Sequence, residues 1–206
     1  MKTKSITFMI LMLCVFFFGV ISTSRSVTLI SKEEALKQMF PDVDQITTEN
    51  INLNASEVTK IKSRLGGQLV HFQNGSESKK VAENTTLTLY TGIKNGKKIR
   101  VAMIDDQPGK WGPVEFILAL STNPGKIENL AVISYQEKRG RPIARNNFLQ
   151  QFVNKGSKDP IMLNKDIRAI SGATISSDAT CFAVKKAIVI FEEVILPHIQ
   201  GVAQKN

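Results

Sequence analysis

The chain has 206 residues, 42% hydrophobic and 22% charged, which is enough apolar material for one packed domain and too much for a disordered tail. Thirteen Gly and seven Pro exclude a collagen-like or low-complexity architecture, and two Cys cannot build a disulfide framework. The formal net charge of +9 favours anionic partners such as phosphates, lipid headgroups or an acidic protein, although the basic residues are spread along the chain.

The first segment, residues 1–24, reads as an address. Lys2 and Lys4 precede the apolar run Ile6–Ile21, which is shorter than the ~20 residues a membrane-spanning helix needs. The small polar residues Ser22, Thr23 and Ser24 follow. A Sec-type signal peptide is expected here, with an uncleaved N-terminal anchor as the rival, so the protein is expected to be exported: periplasmic, or at the outer face of the cytoplasmic membrane. Cleavage removes Cys14 and leaves Cys181, which falls on an apolar helical pattern and reads as a buried small hydrophobe.

Residues 25–84 form a helical N-terminal segment. Ser31 followed by Glu34 is a capping box that opens a helix ending before Pro41. A second helix is expected over Ser56–Leu65, with Val58, Ile61 and Leu65 on its apolar face and Gly66-Gly67 as its stop. Leu69–Phe72 reads as a short strand, and 73–84 as a polar loop.

The main body is expected over 85–197, with 198–206 as a tail. Strand-like runs at Leu87–Ile93 and Lys98–Ile104 flank Asn95-Gly96, the pair that suits a type I′ hairpin turn. Two more, Val114–Leu120 and Ile127–Tyr135, flank the turn Asn123–Lys126. A short helix follows at Asn146–Val153, then a long one from Asp178 to Leu196, ended by Pro197. Antiparallel strands set between helices make an α+β fold: a twisted antiparallel sheet packed with helices, preceded by the small helical segment.

Several chemistries have no residues to carry them. His71 and His198 lack zinc-ligand spacing and are expected at the surface, and the phosphate-loop, dinucleotide-turn and nucleophile-elbow motifs do not occur. Asp105-Asp106 reads as a solvated turn at a strand end. No catalytic residue and no metal ligand is assigned.

One stretch is rich in small polar residues, Asp166-Ile-Arg-Ala-Ile-Ser-Gly-Ala-Thr174-Ile-Ser-Ser177-Asp178. It opens the long helix, and Ser176, Ser177 and Asp178 are all good N-cap types. Gly172 and Ala173 permit close approach of a ligand to the backbone, and Ser171, Thr174, Ser176 and Ser177 offer hydroxyls where helix N–H groups and the positive end of the dipole converge. Two readings stand on these residues alone, a phosphate cradle and an ordinary capped helix start.

Ser171-Gly172-Ala173-Thr174, eight residues after an Asp and just before Ser-Ser and a helix, resembles the attachment motif of the FMN-binding domain family. Members include the C subunit of sodium-pumping NADH:quinone reductase, the G subunit of the Rnf complex and the exported domain of nitrous-oxide-reduction regulators. Gly109-Lys110-Trp111-Gly112 resembles the family's Gly-x-Trp-Gly/Ser segment, and Phe148-Leu-Gln-Gln-Phe152 its Phe-x-x-Gln-Phe helix. Glu137, Lys138, Arg139, Gly140 and Arg141 stand where many members have Glu-Thr-Pro-Gly; Glu137 and Gly140 are kept, while Lys138 and Arg139 replace Thr-Pro.

The resemblance implies FMN held covalently by a phosphoester on Thr174, installed by a separate flavin transferase. Trp111 and Gly112 would then lie near the ring, Glu137 would tune it, and Arg139 and Arg141 would offer charge to it or to the phosphodiester. The implied function is an exported electron carrier serving a membrane or extracytoplasmic redox partner, with no nucleic acid involved. A non-redox anion- or partner-binding module and a flavin-dependent small-molecule reductase are the alternatives.

Overall fold

The computed structural model describes residues 26–76, 78, 81–136 and 142–201. The signal-like segment 1–24 and the loop Glu137–Arg141 lie outside the described residues.

Six antiparallel strands form one sheet: β1 (Val27–Thr28), β2 (Gln45–Asn52), β3 (Thr86–Lys94), β4 (Lys97–Pro108), β5 (Pro113–Ser121) and β6 (Ile127–Tyr135), in the order β1-β6-β5-β4-β3-β2. The β3–β4 hairpin turns at Asn95 and Gly96, with φ of 50° and 72°, the two positive values a type I′ turn requires. The β5–β6 turn contains Asn123, Pro124 and Gly125, as expected.

The β5 sequence Val114-Glu-Phe-Ile-Leu-Ala-Leu120 is apolar on both pleats, which demands cover on both faces. It has it. Phe116, Leu118 and Leu120 join the larger core beneath α2 (Ala55–Arg64), α3 (Asn146–Leu149, continued by a 3-10 turn at Gln150–Phe152) and the long helix α4 (Thr174–Ile190). Ile117 and Ala119 point the other way, into a smaller core with Ala102, Ala131 and Ile133 beneath α1 (Lys32–Met39). The alanines on that face let α1 sit close, so Ala35 and Met39 are almost wholly buried.

The two N-terminal helices form where the capping signals place them. Ser31 Oγ accepts from the Glu34 N–H at 3.1 Å. The second helix starts at Ala55, one residue earlier than expected, and its N-cap Asn54 makes a full capping box with Glu57. Between them, however, residues 45–52 form β2, an eight-residue edge strand paired along its length with β3. The segment 25–84 is therefore helical and also supplies both edges of the sheet. Leu69–Phe72 is not a strand. Among the described residues no ladder partner reaches it, and side chains take that role: Leu69 N–H donates to Glu83 at 3.1 Å and His71 N–H to Gln107 at 3.1 Å.

The long helix also departs from expectation at both ends. It begins at Thr174, not Asp178. Pro197 does not end it: a π turn at Phe191–Ile195 re-phases the carbonyls, and Pro197 enters the first turn of a further helix, α5 (Leu196–Ile199), where its missing N–H costs nothing. Cys181 lies inside α4 as a free, buried thiol, and burial pushes its pKa up to about 12.

Candidate functional site

The approach to α4 is held by side chains. Asp166 accepts hydrogen bonds from the Met162 N–H at 2.8 Å, the Ile161 N–H at 3.1 Å and the Lys155 ammonium at 2.8 Å. Partial burial opposes its ionisation, but the ammonium and the two amides outweigh it and hold the carboxyl below the usual range. Gln151 then brackets Arg168: its amide oxygen accepts the Arg168 N–H at 2.8 Å and its amide NH2 donates to the Arg168 carbonyl at 3.3 Å.

Beyond that bracket the chain turns sharply. Ala173 N–H donates to the Ile170 carbonyl at 3.0 Å, and Gly172 takes φ +77°, with no atom within 4 Å of where a Cβ would stand. Ser171, Gly172 and Thr174 are exposed. Thr174 is the first helical residue and Ala173 the N-cap, and among the described residues no side-chain cap closes the start of this 17-residue helix. The positive end of its dipole stands beside an exposed hydroxyl.

Ser176 and Ser177, expected as caps with free hydroxyls, sit inside instead. Because the helix starts at Thr174, they complete its first turn facing the sheet, and both are buried. Ser177 Oγ donates to the Ala173 carbonyl at 2.8 Å and accepts from the Ile170 N–H at 3.3 Å, which clamps the Ile170–Ala173 turn from within. Ser177 shapes the loop from within, while Ser171 and Thr174 present the surface.

Trp111 lies at the β4–β5 turn, closed by Gly109 N–H donating to the Gly112 carbonyl at 2.8 Å. Lys110 Nζ stands 5.0 Å from the centre of the half-buried Trp111 ring. Gly112 has a packing reason of its own: a Cβ there would strike the Gln136 side chain.

A polar strap, residues 68–76, ties the Trp111 turn to the Thr174 helix. Ser76 Oγ donates to the Gly109 carbonyl at 2.6 Å and Gln73 Nε2 to the Ile175 carbonyl at 2.8 Å. Those anchors are three residues apart, so the strap between them spans at most about 11 Å. His71 stacks on Phe182, ring centres 5.1 Å apart, and its Nε2 lies 3.2 Å from Asp178, on the same helix face as Thr174 four residues earlier. His71 is thus half-buried and structural, not the surface residue expected from sequence.

Asp105 and Asp106 also differ from expectation, since both lie within β4. Asp105 forms a largely buried pair with Lys186 of α4 at 2.5 Å and accepts from Gln107 at 2.7 Å. Asp106 is directly opposite Glu115 on β5. Desolvation, reinforced by the Glu115 and Asp105 carboxylates, pushes its pKa up to about 6.

Sequence reasoning missed the strap, the Gln151 bracket and the Lys186–Asp105 pair. Lys185-Lys186, set in the apolar second half of α4, was the readable signal of a buried partner. The other contacts join residues distant in the chain and carry no local pattern.

Residues 109–189 match the family described as "FMN-binding domain". Among curated proteins the chain is similar to the G subunit of the proton-translocating ferredoxin:NAD(+) oxidoreductase complex of Clostridium ljungdahlii, 30% identical over 107 residues. That match covers 48% of this chain and 57% of the relative's length. Among solved structures it resembles NqrC of Shewanella oneidensis, with a TM-score of 0.51 and 14% identity over 85% of this chain and 92% of that one, a likeness of fold alone. Residues 109–189 thus match the model of an FMN-binding domain, and the Trp111 turn and the Ser171–Thr174 loop both lie within that stretch.

Proposed function

We propose that this protein is an exported electron-transfer flavoprotein carrying FMN covalently, through a phosphoester on Thr174. The observation that carries the reading is the exposed Thr174 at the uncapped start of α4, within a segment that matches an FMN-binding domain. The residues fit the group. Gly172 leaves open space beside the hydroxyl, and a phosphodiester charge there would gain about 0.3–1 kcal/mol from the helix dipole.

FMN when bound supplies one- and two-electron chemistry; the chain's own residues hold and tune it. Gln151, Asp166 and Ser177 fix the loop that presents Thr174. Trp111 and Gly112 form the facing turn, and Glu137, Lys138, Arg139, Gly140 and Arg141 are assigned the ring's other neighbours. A covalent link suits an exported protein, because a non-covalent cofactor leaves by mass action where no pool refills it. A flavin transferase is the proposed maturation partner. The relative from Clostridium is named as a subunit of a redox complex, which supports a membrane or extracytoplasmic redox protein as the functional partner.

Thr174→Ala is expected to give a folded, colourless protein when produced with a flavin transferase, and Thr174→Ser to retain yellow absorbance and the mass increment of FMN less water. Intact mass and the visible spectrum decide; a covalently flavinylated Thr174→Ala protein sinks the assignment.

A further inference from the structure

We infer that the cleft beside the Thr174 loop, ringed by Arg145, Lys165 and Arg168, is the docking surface for an acidic partner protein. The cleft encloses about 860 Å³ between α3 and the 164–170 loop, with Phe148, Gln151 and Ile170 in its walls. All three cationic residues are exposed, and among the described residues none has a carboxylate partner. The one carboxylate in the lining, Asp166, is already engaged by Lys155 and two backbone amides, so the rim keeps a local excess of positive charge.

The absence of buried donors argues against a small-anion pocket, whose ligands are held by buried, pre-positioned groups. Exposed, unpaired cations act instead at range, steering a complementary surface and weakening with salt. Met162, 48% exposed on the neighbouring loop, adds apolar contact area of the adaptable kind that transient interfaces use. Position gives the surface its purpose. Ile170 in the cleft wall is hydrogen-bonded by Ala173, the residue before Thr174. An acidic protein seated here would lie beside the proposed flavin attachment point; this role rests on the flavoprotein reading, whereas the docking itself does not.

The test compares the full-length protein with the triple variant Arg145→Glu, Lys165→Glu, Arg168→Glu. A control triple, Lys60→Glu, Lys97→Glu, Lys98→Glu, carries the same charge change at residues that do not line the cleft. The probe is a strongly acidic two-iron ferredoxin. Its binding is measured at increasing sodium chloride, and one-electron transfer from its reduced form to the flavoprotein is followed by stopped flow. Binding and rate are expected to fall roughly ten-fold or more in the cleft variant at low salt, with a flattened salt dependence, and by less than about three-fold in the control.

Equal losses in the two variants would mean net charge alone is felt and would overturn the proposal. So would a cleft variant that keeps ferredoxin binding but no longer binds phosphatidylglycerol vesicles, since the surface would then serve a membrane. A triple glutamine variant at the same three positions, set against Lys60→Gln, Lys97→Gln, Lys98→Gln, gives the same comparison if the reversal proves unstable. Intact mass reports FMN separately: a chain produced with a flavin transferase that carries no FMN yet still binds ferredoxin through the cleft fails the flavoprotein reading and leaves the docking surface standing.

Discussion

Asp106 shows how one residue's neighbours convert into a measurable property. It faces Glu115 across the strand pair, next to Asp105, and its pKa stands at about 6 against an ordinary 3.8. The folded chain therefore holds this proton over a pH range where the unfolded chain has released it. Stability contributed by the protonated form is complete below pH 3.8 and is lost as pH rises through 6. Asp106→Asn mimics the protonated acid, so the variant is expected to be more stable than the parent at pH 7–8 and equal to it near pH 3.5. Because the side chain is only partly desolvated and still reaches solvent, screening limits the gain to under ~1 kcal/mol. Urea denaturation at the two pH values checks it; a gain that persists at the acid end contradicts the assignment.

Among the elements, the loop from Asp166 to Ala173 depends most on contacts outside itself. Its backbone is pinned by Gln151 from α3 and by Ser177 from inside α4. Gln151→Ala removes both bonds to Arg168 and exposes its N–H. A loss of about 1–2 kcal/mol is expected, with faster amide exchange across 166–173 and little change in β5 or β6. Hydrogen exchange read by mass spectrometry distinguishes this from general loosening, which would raise exchange in the strands too.

Several element boundaries were legible in sequence because they rest on local chemistry. Ser31 and Asn95-Gly96 act within three or four residues, and each sits where its pattern places it. The start of α4 was not. Three good capping residues, Ser176, Ser177 and Asp178, suggested a later start, but burying the first two against the sheet outweighs their local preference, and the helix begins at an uncapped Ala173–Thr174 step.

At the scale of the whole molecule, the N-terminal segment is part of the sheet's architecture. β2 covers one edge, β1 the other, and α1 covers the face made by Ala102, Ile117, Ala119 and Ile133. Removing residues 1–53 would bare that face and the β3 edge together. The shortened chain is expected to lose its cooperative thermal transition or to aggregate, even though the segment 109–189 that matches the family is intact. A sharp calorimetric transition in the truncated protein would show that the body folds alone.

The sequence by itself determined the class of the fold, the hairpin turns, the helix signals at Ser31 and Gly66-Gly67, and the motif at Ser171–Thr174, because each depends on neighbours in the chain. Only the tertiary structure decided which hydroxyls of that motif reach the surface, that residues 45–52 form an edge strand, and that the 68–76 strap joins the Trp111 turn to α4. Those outcomes depend on burial and on pairing between distant residues, where a side chain's partner is chosen by packing and leaves no periodic trace in the chain.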